Sequence, residues 1–100
     1  MKIVLLHQAE TEFWESVDYY EQQSPGLGIH FKEEVDRFLQ KIAAAPLLPR
    51  LRKRKYRRVN LSVFKHYIAY ILREDTLWVV AICHAYKEPE FFLSRLQEHH

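Results

Sequence analysis

The residues of this 100-residue chain best suited to chemistry are basic and aromatic: Arg57, Arg58, Lys65, His66, His84, Tyr86, Lys87 and Arg95. Cleavage of RNA through its own 2′-hydroxyl needs such a set. A base must take the 2′ proton, fixed cations must hold the charge building on the phosphate, and an acid must protonate the departing 5′ oxygen. His84 suits base or acid, because imidazole titrates near working pH. Arg57, Arg58, Lys65 and Arg95 suit the phosphate, since guanidinium can grip it with two parallel hydrogen bonds. Tyr86 can stack a base or donate a proton. Structural roles stand beside these: a strand-end histidine bonded to backbone for His84, and a surface cation near a helix C-terminus for Arg95.

Charge is distributed unevenly around that set. Seven of the nine residues from Arg50 to Arg58 are Lys or Arg, and without them eight basic residues face 13 acidic ones, so the net charge of +2 conceals a dipole. Eight of the 13 acidic residues lie between Glu10 and Asp36. Positive charge concentrated beside a His/Tyr-bearing strand end suits a polyanion. Arg52, Lys53, Arg54, Lys55, Arg57, Lys65, Lys87 and Arg95 are the nucleic-acid-binding candidates, against the alternative of a solvated basic loop.

Other chemistry lacks a signal. The six histidines show no i, i+4 pair on an expected helix, and no Cys-x-x-Cys occurs, so no metal site is expected. Two glycines make no phosphate-binding or dinucleotide loop, and no cofactor is expected. Cys83 sits in an apolar run and reads as a small buried hydrophobe. One cysteine allows no internal disulfide, which fits a reducing compartment. The apolar run after Lys2 is too short for a secretory signal, and none reaches the ~20 residues of a membrane span, so a cytoplasmic protein is expected. Glu98-His99-His100 reads equally as native sequence or as the stub of an affinity tag.

These residues need elements to position them. At 48% hydrophobic and 28% charged, the composition is that of a globular protein, and the length predicts one domain over residues 1–100. Residues 2–7 read as a strand. Glu10 to Gln23 reads as a helix with Phe13, Val17 and Tyr20 on one face. Ser24-Pro25-Gly26-Leu27-Gly28 breaks it. A second helix from about Ile29 to Ala45 carries a Phe31, Val35, Phe38, Ile42 stripe and ends at Pro46 and Pro49. Beyond the basic block the period becomes two, predicting strands over 56–61, 66–72 and 77–85, with residues 73–76 joining the last two. Both alternating sets of Tyr67 to Leu72 are apolar, so that strand should be central. Residues 89–97 predict a short helix with Phe92 and Leu96 inward. The fold class is α+β: a helical hairpin packed on a small antiparallel-rich sheet, in the order β-α-α-β-β-β with a short C-terminal helix. Antiparallel pairing of the last three strands could bring the start of Arg57-Arg58 and the His84–Tyr86 end to one region of the sheet, in a register that the sequence does not show.

The chain resembles the RelE/ParE superfamily of bacterial type II toxins, in the branch of plasmid stabilisation proteins, over nearly its whole length. The resemblance rests on Val17-Asp18-Tyr19-Tyr20-Glu21, then Pro25-Gly26-Leu27-Gly28, then Phe31, Glu34-Val35, Ile42 and Pro46. It continues through Arg57-Arg58-Val59, a Phe64 to Tyr70 segment, and His84 with Pro89 and Arg95. Departures are Lys65-His66 where the branch has Pro-Tyr, Lys87 for an Arg, and Phe91-Phe92 for Tyr-Trp. The resemblance implies a toxin neutralised by a cognate antitoxin whose C-terminal segment wraps its helices and sheet. It implies one of two targets. RelE-like members enter the ribosome and cut mRNA, an endoribonuclease activity that needs no metal. ParE-like members poison DNA gyrase without a catalytic set. Toward the first of these the resemblance implies Arg58, His84 and Tyr86 as the catalytic residues, and the reading leans to the ribosome-dependent endoribonuclease, with gyrase inhibition, or an inactive toxin that only binds antitoxin, as alternatives.

Overall fold

The computed structural model describes residues 1–97; Glu98-His99-His100 lie outside the described residues. Strand β1 (Lys2–Leu5) leads into helices α1 (His7–Gln23) and α2 (Leu27–Ala44). Strands β2 (Arg57–Asn60), β3 (His66–Arg73) and β4 (Thr76–His84) follow, and α3 (Glu90–Gln97) closes the chain. The sheet order is β1-β4-β3-β2, with β1 parallel to β4 and the other pairings antiparallel. This is the expected α+β order, with β3 and β4 as the buried central strands.

Both helices follow from their apolar stripes. Ala9 and Phe13 of α1 and Phe31, Val35, Leu39 and Ile42 of α2 are buried. The junction between them is tighter than the sequence suggests, because α2 starts at Leu27, ahead of the expected Ile29. Glu21 explains this: its carboxylate accepts the Gly26 N–H at 2.9 Å and the Gly28 N–H at 3.0 Å. Those amides open a helix and have no carbonyl to bond within it, and a carboxylate also suits the positive helix end. Gly26 takes φ +89°, a conformation glycine adopts without steric cost. At Gly28 a Cβ would stand 2.5 Å from the Val17 carbonyl oxygen, so glycine there sets how closely α1 and α2 approach.

The sheet buries both faces. His66 and Ile68 look toward the helical hairpin, and Tyr67 looks the other way, where Phe92 of α3 packs against it and against Tyr56. The strand expected over 56–61 is shorter, and Tyr56 lies outside β2, forming an isolated bridge with Arg52 instead. The expected 73–76 connection narrows to the turn Glu74-Asp75, because Arg73 and Thr76 are paired. Glu34, 2% exposed, accepts the Val63 and Phe64 amides at 2.9 and 3.3 Å and meets Arg37 at 3.1 Å. A carboxylate on α2 thereby fixes the loop that leads into β3.

Candidate functional site

Strand pairing sets His66 opposite His84, with ring centroids 5.2 Å apart. α1 meets this pair with Ser16 and Tyr20, one helical turn apart on the same face. The Ser16 hydroxyl lies 3.3 Å from His66 Nε2 and the Tyr20 hydroxyl 3.3 Å from Nδ1. One ring nitrogen carries the proton and the other accepts, so the two hydroxyls play opposite roles. Burial, and then the neighbouring His84, lower the His66 pKa from 6.5 to about 4. His66 is thus a neutral, fully engaged ring at neutral pH.

His84 is less confined. Its Nδ1 is buried without a hydrogen-bond partner, and its ring packs on Tyr86 at 4.1 Å between centroids. Tyr86 is 72% exposed. The two rings line a cleft of about 570 Å³ between α1 and the end of β4, where Glu12, Tyr19 and Tyr20 form the opposite wall. Lys87 reaches its rim with the ammonium 4.9 Å from the centre of the Phe91 ring. The cleft is aromatic and of mixed charge. Cys83, which also borders the cleft, is buried, and burial pushes its thiol pKa up, as expected of a small packed hydrophobe.

The remaining candidates do not converge there. Arg58 pairs with Ala69, which pairs with Ala81. Ala81 and His84 are three residues apart on a regularly paired stretch, so Arg58 and His84 lie on opposite faces of the sheet. Arg58 spreads over the Tyr67 ring at 3.9 Å, and its Nε donates to Asn60 at 3.1 Å. The expectation that strand pairing unites Arg57-Arg58 with His84–Tyr86 is therefore corrected: register puts Arg58 on the other face and sets Arg57 opposite Tyr70, four residues along β3 from His66. Arg57 donates to the Pro49 carbonyl at 2.9 Å. Arg52, Lys53, Arg54 and Lys55 form a turn beyond the Tyr70 end of β3, away from His66. Lys65 is exposed at the His84 end, where its carbonyl accepts the Ala85 N–H at 2.8 Å. Arg95 is turned inward, donating to the Val80 carbonyl at 2.9 Å and to Glu12 at 2.8 Å.

The arrangement thus gathers His66, His84, Tyr86, Lys65 and Lys87 at one end of the sheet. It adds Ser16, Tyr20 and Glu12, which sequence reasoning did not single out. Ser16 and Tyr20 share the α1 stripe with Phe13, so their spacing is also that of core positions. Among the described residues no group of three or more His, Cys, Asp or Glu side chains could hold a metal ion. Among them, too, no helix is long and apolar enough to cross a membrane.

A family model described as the ParE toxin of type II toxin–antitoxin systems, parDE, matches residues 3–89. Among solved structures, a chain from a chromosomal ParDE toxin–antitoxin system of P. aeruginosa superposes with a TM-score of 0.73. The superposition covers 84% of this chain and 95% of that one at 11% identity, a likeness of fold. No curated protein matches the chain.

Proposed function

The chain belongs to the ParE toxin family of type II toxin–antitoxin systems, and from that premise we propose that it disables DNA gyrase by binding rather than cutting mRNA. The observation that carries this reading is the separation of Arg58 from His84 and Tyr86 by the thickness of the sheet. Self-cleavage of RNA needs base, acid and phosphate-holding cations around one phosphorus. His66, the nearest second imidazole, is neutral and already bonded to two hydroxyls. Arg95 is committed to Glu12. A protein target makes no such demand, and the aromatic cleft with Tyr86 at its mouth suits protein contacts.

A second reading keeps one specific observation in its favour. His84 has a ring nitrogen without a partner, packs on an exposed tyrosine, and shares its end of the sheet with Lys65 and Lys87. A ribosome that supplied the missing cations would make it an mRNA endoribonuclease. In either case the toxin works in the cytoplasm as a single unit with a cognate antitoxin as its partner, and Trp14 and Tyr19, exposed on α1, offer that antitoxin apolar contacts.

Pulse-labelling in bacteria after induction without antitoxin separates the readings. Thymidine incorporation falling before methionine incorporation is expected. Methionine incorporation falling first would overturn the gyrase reading and make His84, Tyr86 and Lys87 the residues to test.

A further inference from the structure

The segment between α2 and β2 presents apolar and cationic side chains together. Leu47, Leu48 and Leu51 are 69%, 84% and 47% exposed. They are held there by anchors: the Tyr70 hydroxyl donates to the Pro46 carbonyl at 2.7 Å, and Arg57 donates to the Pro49 carbonyl at 2.9 Å. The turn that follows is closed by the Lys55 N–H on the Arg52 carbonyl at 2.9 Å and the Arg52 N–H on the Tyr56 carbonyl at 2.7 Å. At its tip Lys53 and Arg54 have φ of +51° and +58°. Such a pair of positions is usually filled by Asn-Gly, and a long side chain there is held in a conformation that disfavours it. No ion pair among the described residues involves Arg50, Arg52, Lys53, Arg54 or Lys55.

Leucines and cations share one hollow of about 290 Å³, in which Leu47, Leu51 and Ile71 meet Arg54 and Lys55. A solvated loop requires neither bare leucines nor two cations in left-handed backbone. A nucleic-acid backbone would use the cations and leave the leucines in water. A protein segment carrying both an apolar side chain and carboxylates uses all of them. We infer that residues 46–56 are a docking surface for an acidic amphipathic segment of a partner protein. One apolar side chain enters the hollow, and flanking carboxylates meet the cations at its rim. The inference concerns a surface at the opposite end of the sheet from the His84 cleft, and it stands whichever macromolecule the toxin disables.

The test is fluorescence anisotropy of the full-length protein with three labelled probes. These are a peptide with leucines at i, i+3, i+4, i+7 spacing among glutamates, the same peptide with serines for leucines, and mixed-sequence duplex DNA. The leucine peptide is expected to bind at least about tenfold more tightly than either comparator. Leu47→Ser with Leu51→Ser should remove that advantage, and Arg54→Glu with Lys55→Glu should weaken binding at least about tenfold. Leu47→Ser alone, at the more exposed of the two leucines that line the hollow, serves if the double leucine variant fails to fold, and should reduce the same advantage. Equal binding of the serine peptide or tighter binding of DNA would overturn the inference in favour of a general polyanion surface. Absence of binding by the leucine peptide would overturn it outright.

Discussion

Glu12 and Arg95 together close the part of the β4 edge that β1 leaves uncovered. β1 pairs with β4 only from Thr76 to Val79. Beyond that, Glu12 accepts the Ile82 N–H at 3.1 Å, Arg95 donates to the Val80 carbonyl at 2.9 Å, and the two join at 2.8 Å. An ion pair thus stands where the next rungs of a longer strand would be, joining α1 to α3 and blunting an edge that would otherwise template aggregation. Arg95→Ala leaves a carboxylate and a carbonyl without their partner in a site where both side chains are 12–14% exposed. The expected loss is about 3 kcal/mol in urea denaturation, and Arg95→Lys should recover only part of it, since ammonium lacks the fork geometry. A change within about 0.5 kcal/mol would remove the pair from the list of structural determinants.

Stability should fall with pH before the carboxylates titrate. His66 has a folded-state pKa of about 4 against 6.5 when unperturbed. The unfolded chain therefore takes up the proton first as pH falls below 6.5, and the stability contributed by neutral His66 is lost on the way to about 4. The loss over that window is on the order of 3 kcal/mol. His66→Gln keeps a polar group beside Ser16 and Tyr20 without titrating. Urea midpoints for this variant should vary less between pH 6.5 and 5 than those of the parent; equal slopes would assign the titration to another group.

Toxicity distinguishes a binding surface from a catalytic centre. Under the gyrase reading, His84→Ala keeps growth inhibition within about threefold, whereas loss of a general acid or base costs roughly 10²–10⁴ in rate. Titrating inducer against growth rate gives the comparison, with antitoxin co-purification confirming the fold. A collapse of toxicity in a folded, antitoxin-binding His84→Ala protein would favour the RNase reading.

The turn between α1 and α2 gives a graded series. Gly28→Ala places a methyl 2.5 Å from a backbone oxygen, which cannot retreat as a side chain can, and should cost about 1–3 kcal/mol. Glu21→Ala frees two helix-opening amides and should cost about 1 kcal/mol. Gly26→Ala has open space but an unfavourable φ and falls near the same value. Thermal unfolding should rank Gly28→Ala lowest; parity among the three would mean that α1 and α2 separate easily.

Much of this architecture was legible from local pattern. Phe31, Val35 and Ile42 recur at helical spacing, and Tyr67 to Leu72 is apolar on both alternations because β3 is covered on both sides. What the pattern withheld depends on contacts between distant segments. The α2 start at Leu27 follows from a carboxylate on the preceding helix. The parallel pairing of β1 with β4 joins opposite ends of the chain. The candidate site was half legible: His66, His84 and Tyr86 do meet, but Arg58 is carried to the other face by register. Arg95 looked like a surface cation because Glu12, its partner, lies at the other end of the sequence.

The pairing of Lys2–Leu5 with Thr76–Val79 has a consequence for synthesis. A chain leaving the ribosome N-terminus first releases β1 and both helices with no sheet to rest on. The strand that receives β1, and the arginine that closes its edge, come out last. At roughly 5–20 residues per second, the half-made protein passes several seconds with its amphipathic helices uncovered. The surface on which both helices rest is complete only once Thr76–Val79 has been made and has paired with the first strand.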